Sequence, residues 1–252
     1  MAGVRQLGAR LTGRRALIEW ALVASLTGLV VCWLALSPTA DRADNLVYDA
    51  LIRLQGGPAD ESIVIVAIDD RSLQSLGRWP WPRATHAALI DRLSEAGPRA
   101  VAYDVLFTEP EADDPSLAAA LARAGNVHLP LLVDAPGENG APWRVSEPDA
   151  LVGSAAGLGH VNLTVDGDGV IRRLPLYMQG GNQVWPQLIL PLARTRVATP
   201  APDPDAATPD ALIAARPEAI AYRGPPGQFR TLSFVDVLNG EVPPGFLKDR
   251  LV

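Results

Sequence analysis

The chain has 252 residues, of which 48% are hydrophobic, and this supply of apolar side chains argues against a disordered protein. Its formal net charge is −6, but four of the 22 basic residues lie within residues 1–15, so 18 basic residues face 28 acidic ones in the rest of the chain. An acidic domain of this kind argues against nucleic acid as a partner.

A long apolar run, Ala16–Leu36, follows the basic start and contains one charged residue, Glu19. In a helix this run spans about 31 Å, close to the roughly 30 Å hydrocarbon core of a bilayer. It therefore predicts a transmembrane helix, and the positive-inside rule places residues 1–15 in the cytoplasm. A cleaved secretory signal is the alternative, but its apolar core is usually about 7–15 residues long. Both interpretations export residues 41–252, and the uncleaved anchor places them outside the inner membrane.

Strand-like and helix-like segments alternate in the first half of the exported region. The predicted strands are Ser62–Ile68, Ala100–Phe107 and Asn126–Val133, and the predicted helices are Ala84–Gly97 and Pro115–Gly125, with Asp114 as a cap. Strands that are apolar on both faces are typical of parallel sheets covered on both sides. The sequence therefore predicts a layered α/β domain with a mixed, largely parallel sheet.

The second half is expected to add shorter elements to this domain. It predicts a β-hairpin around Asp166–Asp168, a helix in Trp185–Val197 that Pro191 kinks or delays, a stiff linker at Thr199–Asp210, a strand at Ala219–Arg223 and a short helix capped by Ser233. Leu251 and Val252 resemble the opening of a buried strand. The chain is therefore expected to stop inside a domain.

The sequence carries no recognised catalytic, cofactor or metal motif. The single cysteine, Cys32, lies inside the apolar run, so no intramolecular disulfide is possible. The three histidines lack the spacing of a zinc site. Asp166-Gly167-Asp168 is similar to the opening of a calcium loop, but Val170 stands where a third Asp or Asn is expected. No cofactor, metal ligand or catalytic residue is assigned.

The segment RWPWPR, Arg78–Arg83, is unusual for its two tryptophans held between prolines. Each proline fixes its own φ and restricts the preceding residue, here Trp79 and Trp81. One interpretation is structural, with the indoles covering the sheet edge and seating the helix that starts at Ala84. The other is a ligand-binding wall formed with Arg83.

Aspartates follow or end two of the predicted strands. Asp69 and Asp70 come directly after the first strand, and Asp104 lies late in the second. Ligands of open α/β sheets bind at the carboxyl ends of strands, where these carboxylates could hold Mg²⁺, Ca²⁺ or a cationic ligand. The alternative is that they bind loop amides or pair with Arg71 and Arg83. The predicted ligand-binding set is Asp69, Asp70, Trp79, Trp81, Arg83 and Asp104.

Five segments together carry a family resemblance. They are Tyr48–Leu54, Val64–Leu73, Gly77–Leu93, Ala100–Phe107 and Gly159–Leu176. In this order they resemble the CHASE-type extracellular sensory domain family, type two, with RWPWPR as the sharpest element. The resemblance implies a periplasmic sensor on an N-terminal anchor, followed in relatives by membrane helices and a cytoplasmic kinase, cyclase or phosphodiesterase.

The expected function is therefore the sensory input of a transmembrane receptor, with the membrane, an unknown small ligand and a second copy as partners. Such a ligand acts only through different affinities for two arrangements of the membrane helices. Two other classes stay open. One is a membrane-tethered, metal-dependent periplasmic hydrolase that uses the aspartates, and the other is a ligand-free dimerisation scaffold.

Overall fold

The structure, a computed structural model, describes residues 2–35, 38–134, 144–180, 183–194 and 217–252. The chain divides into two compact units, Met1–Gly56 and Gly57–Val252. The predicted linker at Thr199–Asp210 lies outside the described residues.

The first unit consists of two helices. Helix α1 (Ala2–Ala35) contains both the basic start and the apolar run, and its segment Ala16–Trp33 is long and apolar enough to cross a membrane. The side chains of this segment are exposed, as those of a lipid-facing helix would be. Helix α2 (Pro38–Gln55) follows and carries Arg53 in its last turn, where a cation interacts favourably with the helix dipole.

The second unit alternates strands and helices. Its strands are β1 (Val64–Ala67), β2 (Val101–Ala102), β3 (Val127–Asp134), β4 (Arg144–Ser146), β5 (Gly157–His160), β6 (Arg173–Leu174), β7 (Tyr177–Gly180), β8 (Gln183–Pro186), β9 (Glu218–Ala219) and β10 (Arg230–Ser233). Its helices are α3 (Asp70–Leu76), α4 (Arg83–Ala96), α5 (Asp114–Ala124), α6 (Leu190–Arg194) and α7 (Phe234–Leu238), with a 3₁₀ turn at Val152–Ser154.

The main sheet is largely parallel, with β4 paired to β3 in antiparallel as the exception. β10 pairs with β1, and β3 pairs with both β2 and β5, all in parallel. Leu251 bridges Ile63 on one side and Ala100 on the other, so the last two residues lie between β1 and β2. The spatial order is therefore β10, β1, Leu251–Val252, β2, β3 and β5. The prediction of an α/β fold with a largely parallel sheet is confirmed.

One apolar core lies between this sheet and its helices. Helix α4 presents Leu89, Ile90 and Leu93, which are at most 2% exposed, and Gly97 ends the helix in the left-handed conformation at φ 68°. The helix predicted at Ala84–Gly97 is therefore confirmed. Because α4 connects β1 to β2, its first turn lies near the carboxyl end of β1 and its last turn near the amino end of β2.

Several local predictions need correction. The strand predicted at Ala100–Phe107 is only two residues long, and β1 is not buried on both faces, because Ile65 is 45% exposed beside an open apolar cleft. The predicted hairpin at Asp166–Asp168 is a turn closed by one bridge between Thr164 and Arg173, while β7 and β8 form the regular antiparallel pair.

The starts of α6 and α5 also differ from the predicted ones. Trp185 and Pro186 belong to β8, and the helix starts only at Leu190, so Pro191 delays the start as one of the two predicted effects. Asp114 is the first residue of α5 rather than its cap. Its carboxylate accepts hydrogen bonds from the N–H of Glu111 and from the guanidinium of Arg83.

Candidate functional site

The RWPWPR segment builds an aromatic cluster at the start of α4. Trp81 is 3% exposed, and its indole N–H donates to the carbonyl of Gly77 at 3.0 Å. Its ring lies 4.7 Å from Phe234 and 5.2 Å from Trp79, in the tilted and edge-to-face arrangements that aromatic rings prefer. Trp79 stays 37% exposed. The two indoles therefore differ, since one is core and the other is half open to solvent.

His86 lies at the centre of this cluster. Its ring is 5.1 Å from Phe107 and 5.6 Å from Trp79, and its Nδ1 is 2.7 Å from the hydroxyl of Tyr103. Burial, with a contribution from the charge of Arg83, lowers the pKa of His86 from 6.5 to about 4. Burial also raises the pKa of Tyr103. The pair is therefore a neutral, hydrogen-bonded polar contact inside an aromatic core.

Arg83 is buried, and each of its three guanidinium nitrogens has an acceptor nearby. Its Nε donates to Asp114 at 2.9 Å, its Nη2 donates to the carbonyl of Glu109 at 2.8 Å, and its Nη1 lies 3.2 Å from Glu111. The guanidinium also lies 4.5 Å from the centre of the Phe107 ring. Arg83 thus ties the start of α4 to the loop that precedes α5, which supports the structural interpretation of RWPWPR.

Asp69 is a helix cap shared between two strand ends. Its Oδ1 accepts hydrogen bonds from the N–H and hydroxyl of Ser72 at 2.9 and 2.6 Å, and from the hydroxyl of Ser233 at 2.8 Å. These hydrogen bonds, led by that of the Ser72 side chain, lower the pKa of Asp69.

The sequence predicts that the side chain of Ser233 caps α7. This prediction is wrong, because the Ser233 hydroxyl donates to Asp69 and makes no cap hydrogen bond. The hydroxyl of Ser72 accepts the N–H of Val235 at 3.2 Å instead.

Asp70 and Asp104 are exposed residues, and no side-chain hydrogen bond or ion pair joins either of them to Asp69 or Arg83 in the described part of the chain. Asp104 lines the apolar cleft, and the loss of hydration of its carboxyl group there raises its pKa. The alternative pairing of the aspartates with Arg71 does not form, because Arg71 contacts Asp236 at 2.9 Å. The predicted ligand-binding residues therefore do not form one site. Only Trp79, Trp81 and Arg83 lie together, at the aromatic cluster.

The cleft is lined by residues of β1 and β2 and by Leu251 and Val252, which lie between these strands. Its volume is about 660 Å³, and Val66, Tyr103, Leu192 and Phe234 are among the residues that line it. Tyr103 and Phe234 also belong to the aromatic cluster. The cleft therefore shares a wall with the residues that RWPWPR holds in place.

Sequence reasoning missed His86, Tyr103 and Phe234 as members of the cluster. For His86 the sequence held a clue, because His86 lies three residues after Arg83 and four before Ile90, which places these three residues on one face of α4. Nothing in the sequence connects His86 to Phe234, which lies more than 140 residues further along the chain.

Among the residues that the structure describes, no group of three or more His, Cys, Asp or Glu side chains could hold a metal ion. The carboxylates of the Asp166–Asp168 turn point to Arg172 instead, with Nη1 of Arg172 at 2.9 Å from Asp166 and Nη2 at 2.8 Å from Asp168. The hydrogen bond from Arg172 is the main reason that the pKa of Asp168 falls to about 2.

Comparison with known proteins identifies the family. The CHASE2 domain family matches residues 26–252. Comparisons with curated proteins and with solved structures find no match. Because the match covers most of the chain, including α2 and the whole α/β unit, the chain belongs to the CHASE2 domain family, whose members are extracellular sensory domains of signalling receptors.

Proposed function

We propose that this chain is the sensory input of a transmembrane receptor, anchored in the inner membrane by α1 with the α/β unit on the extracytoplasmic side. The observation that carries the proposal is the joining of a CHASE2 domain to a helix of membrane-spanning length in one chain. The basic residues before the apolar run support a cytoplasmic N-terminus. The domain would relay an external stimulus through membrane helices to a cytoplasmic output enzyme.

The predicted ligand-binding residues contribute to this proposal in two ways. Trp79, Asp70 and Asp104 expose side-chain surface that a small ligand could contact. Asp69, Trp81 and Arg83 are held by protein contacts, so their role would be to fix the shape of the surface. A ligand there would favour one of two arrangements of the domain, and a second copy of the chain would carry the change to paired membrane helices.

The native thiol of Cys32 tests the relay, because it lies exposed on α1 and is the chain's single cysteine. The measurement is the rate of oxidative Cys32–Cys32 cross-linking of the whole chain in bacterial membranes. Arg83→Met, which disrupts the α/β unit, should change the rate, and Arg123→Ala, which breaks an exposed ion pair with Asp91, should not.

Equal rates in the native chain and in both variants would contradict a relay from the domain to α1. A complete lack of cross-linking at Cys32 would contradict the paired helices.

A further inference from the structure

Two arginines lie side by side at the amino end of the sheet. The N–H of Arg99 donates to the carbonyl of Arg250 at 2.8 Å, and the next residues, Ala100 and Leu251, pair in parallel. This hydrogen bond places the backbones of Arg99 and Arg250 next to each other, so their long side chains are within reach of a common small ligand. The two residues are called here the amino-end arginine pair.

An aromatic ring helps to hold this pair. The guanidinium carbon of Arg250 lies 4.6 Å from the centre of the Phe246 ring, within the range of a cation–π contact. The guanidinium of Arg230 lies 5.7 Å from the same ring centre and has a carboxylate nearby, Glu61 at 3.8 Å. The ring stabilises the positive charge of Arg250 but offers no hydrogen-bond acceptor to its N–H groups.

The amino-end arginine pair lacks acceptors that comparable arginines have. Among the described side chains of the α/β unit, four arginines are buried or half-buried: Arg83, Arg99, Arg172 and Arg250. Arg83 and Arg172 each contact two carboxylates.

Nε and Nη2 of Arg99 and Nη1 of Arg250 are instead buried without a hydrogen-bond partner among the described residues. Guanidinium groups keep their charge at physiological pH, so burying their N–H groups without an acceptor or a counter-ion is unfavourable.

We propose that the amino-end arginine pair binds a small oxyanion, such as phosphate or the carboxylate or phosphate group of a larger ligand. A guanidinium presents two parallel N–H groups that match two oxygens of such an anion. One anion between Arg99 and Arg250 would supply the acceptors that both lack. The inference concerns ligand chemistry only, so it stands whether or not the domain signals.

The test is isothermal titration of the whole chain in detergent with inorganic phosphate, and then with acetate, at constant ionic strength. Arg99→Gln and Arg250→Gln should each weaken phosphate binding by about tenfold or more, because each removes a charged hydrogen-bonding partner. Arg250→Lys keeps the charge but loses the planar fork, so its affinity for phosphate should lie between that of the native chain and that of Arg250→Gln. Arg78→Gln, at an exposed arginine outside the pair, is the matched control.

Binding of phosphate but not acetate, or of both, would each support the site and would distinguish the two kinds of anion. The proposal fails if the native chain binds neither anion. It also fails if Arg78→Gln weakens binding as much as Arg250→Gln does, since attraction to the general surface charge would then explain the result. Unfolding curves check the folding of each variant, and the Arg250→Lys result decides the case if a glutamine variant does not fold.

Discussion

The two ends of the parallel sheet treat buried charge differently. At the carboxyl end, Arg83 and Asp69 are surrounded by partners that satisfy them within the chain. At the amino end, Arg99 and Arg250 keep buried N–H groups without acceptors in the described residues. A satisfied buried charge connects elements, and removing its partner is destabilising, whereas an unsatisfied charge costs stability unless something else binds it. At the carboxyl end, ligand contacts are therefore left to exposed side chains such as Trp79, Asp70 and Asp104, whereas at the amino end we propose that the arginine pair itself binds an anion.

The largest effect should come from Arg83. Arg83→Met leaves Asp114 as a buried carboxylate without its guanidinium partner, which should lower the free energy of unfolding by about 3–5 kcal/mol. Chemical denaturation of the whole chain in detergent measures this value. Breaking the exposed pair of Arg123 and Asp91 with Arg123→Ala should cost about 1 kcal/mol or less. If both variants lost the same small amount, the buried contacts of Arg83 would not hold the carboxyl end of the sheet together.

Replacement of the two tryptophans of RWPWPR should also lower the free energy of unfolding by clearly different amounts. Trp81→Ala empties a site that is 3% exposed and should cost about 3–5 kcal/mol of unfolding free energy. Trp79→Ala removes a ring that is already 37% exposed, so its cost should be clearly smaller. Thermal unfolding of both variants gives the order. A larger loss for Trp79 would mean that this indole, and not Trp81, holds the cluster together.

The Asp69 cap predicts a smaller, pH-dependent effect. Asp69→Ala removes the acceptor shared by Ser72 and Ser233 and should cost about 1 kcal/mol at neutral pH. Because the pKa of Asp69 is lower in the folded state than its ordinary value of 3.8, its contribution is fully present above that value. It is lost as the pH falls through the lower, folded-state pKa. The melting temperature of the native chain and of Asp69→Ala should therefore converge in strong acid, and a constant difference would contradict the cap.

His160, at the carboxyl end of β5, is a polar group at this end of the sheet that the chain does not satisfy. It is fully buried, and neither ring nitrogen has a hydrogen-bond partner among the described residues. Burial lowers its pKa from 6.5 to about 4, so the folded state loses stability as the pH falls from 6.5 towards 4.

His160→Leu removes this unpaired group and should leave the melting temperature unchanged or raised at pH 7. Its loss of stability between pH 6.5 and 4 should also be smaller than that of the native chain. His86 and His128, whose pKa values burial also lowers, still contribute in both proteins. A lower melting temperature at pH 7 would show that His160 has a partner that stabilises it.

Sequence patterns predicted those parts of the molecule that depend on local chemistry. The apolar spacing of α4 and the apolar strands around Val64 and Leu129 specified the α/β layers, because helices and parallel strands follow their own periodicity. The prolines of RWPWPR indicated a rigid segment, and the structure shows where its two indoles pack.

The pairing of distant residues could not be predicted in this way. Asp69 meets Ser233 across 164 positions, and Arg83 meets Asp114 across 31. The sequence shows that each of these residues is suited to capping or pairing, but the partner depends on how strands are ordered in the sheet. The position of Leu251 between β1 and β2, which places Arg250 beside Arg99, is of the same kind.

The central claim of the proposed function is that α1 anchors the chain in the membrane and that the α/β unit faces away from the cytoplasm. The most direct measurement is labelling of intact bacterial cells with a membrane-impermeant maleimide, in a Cys32→Ser background. Ser116→Cys, at an exposed position of α5, should be labelled in intact cells, whereas Gln6→Cys near the N-terminus should be labelled only after the membrane is opened. Labelling of Ser116→Cys only after lysis would contradict the claim.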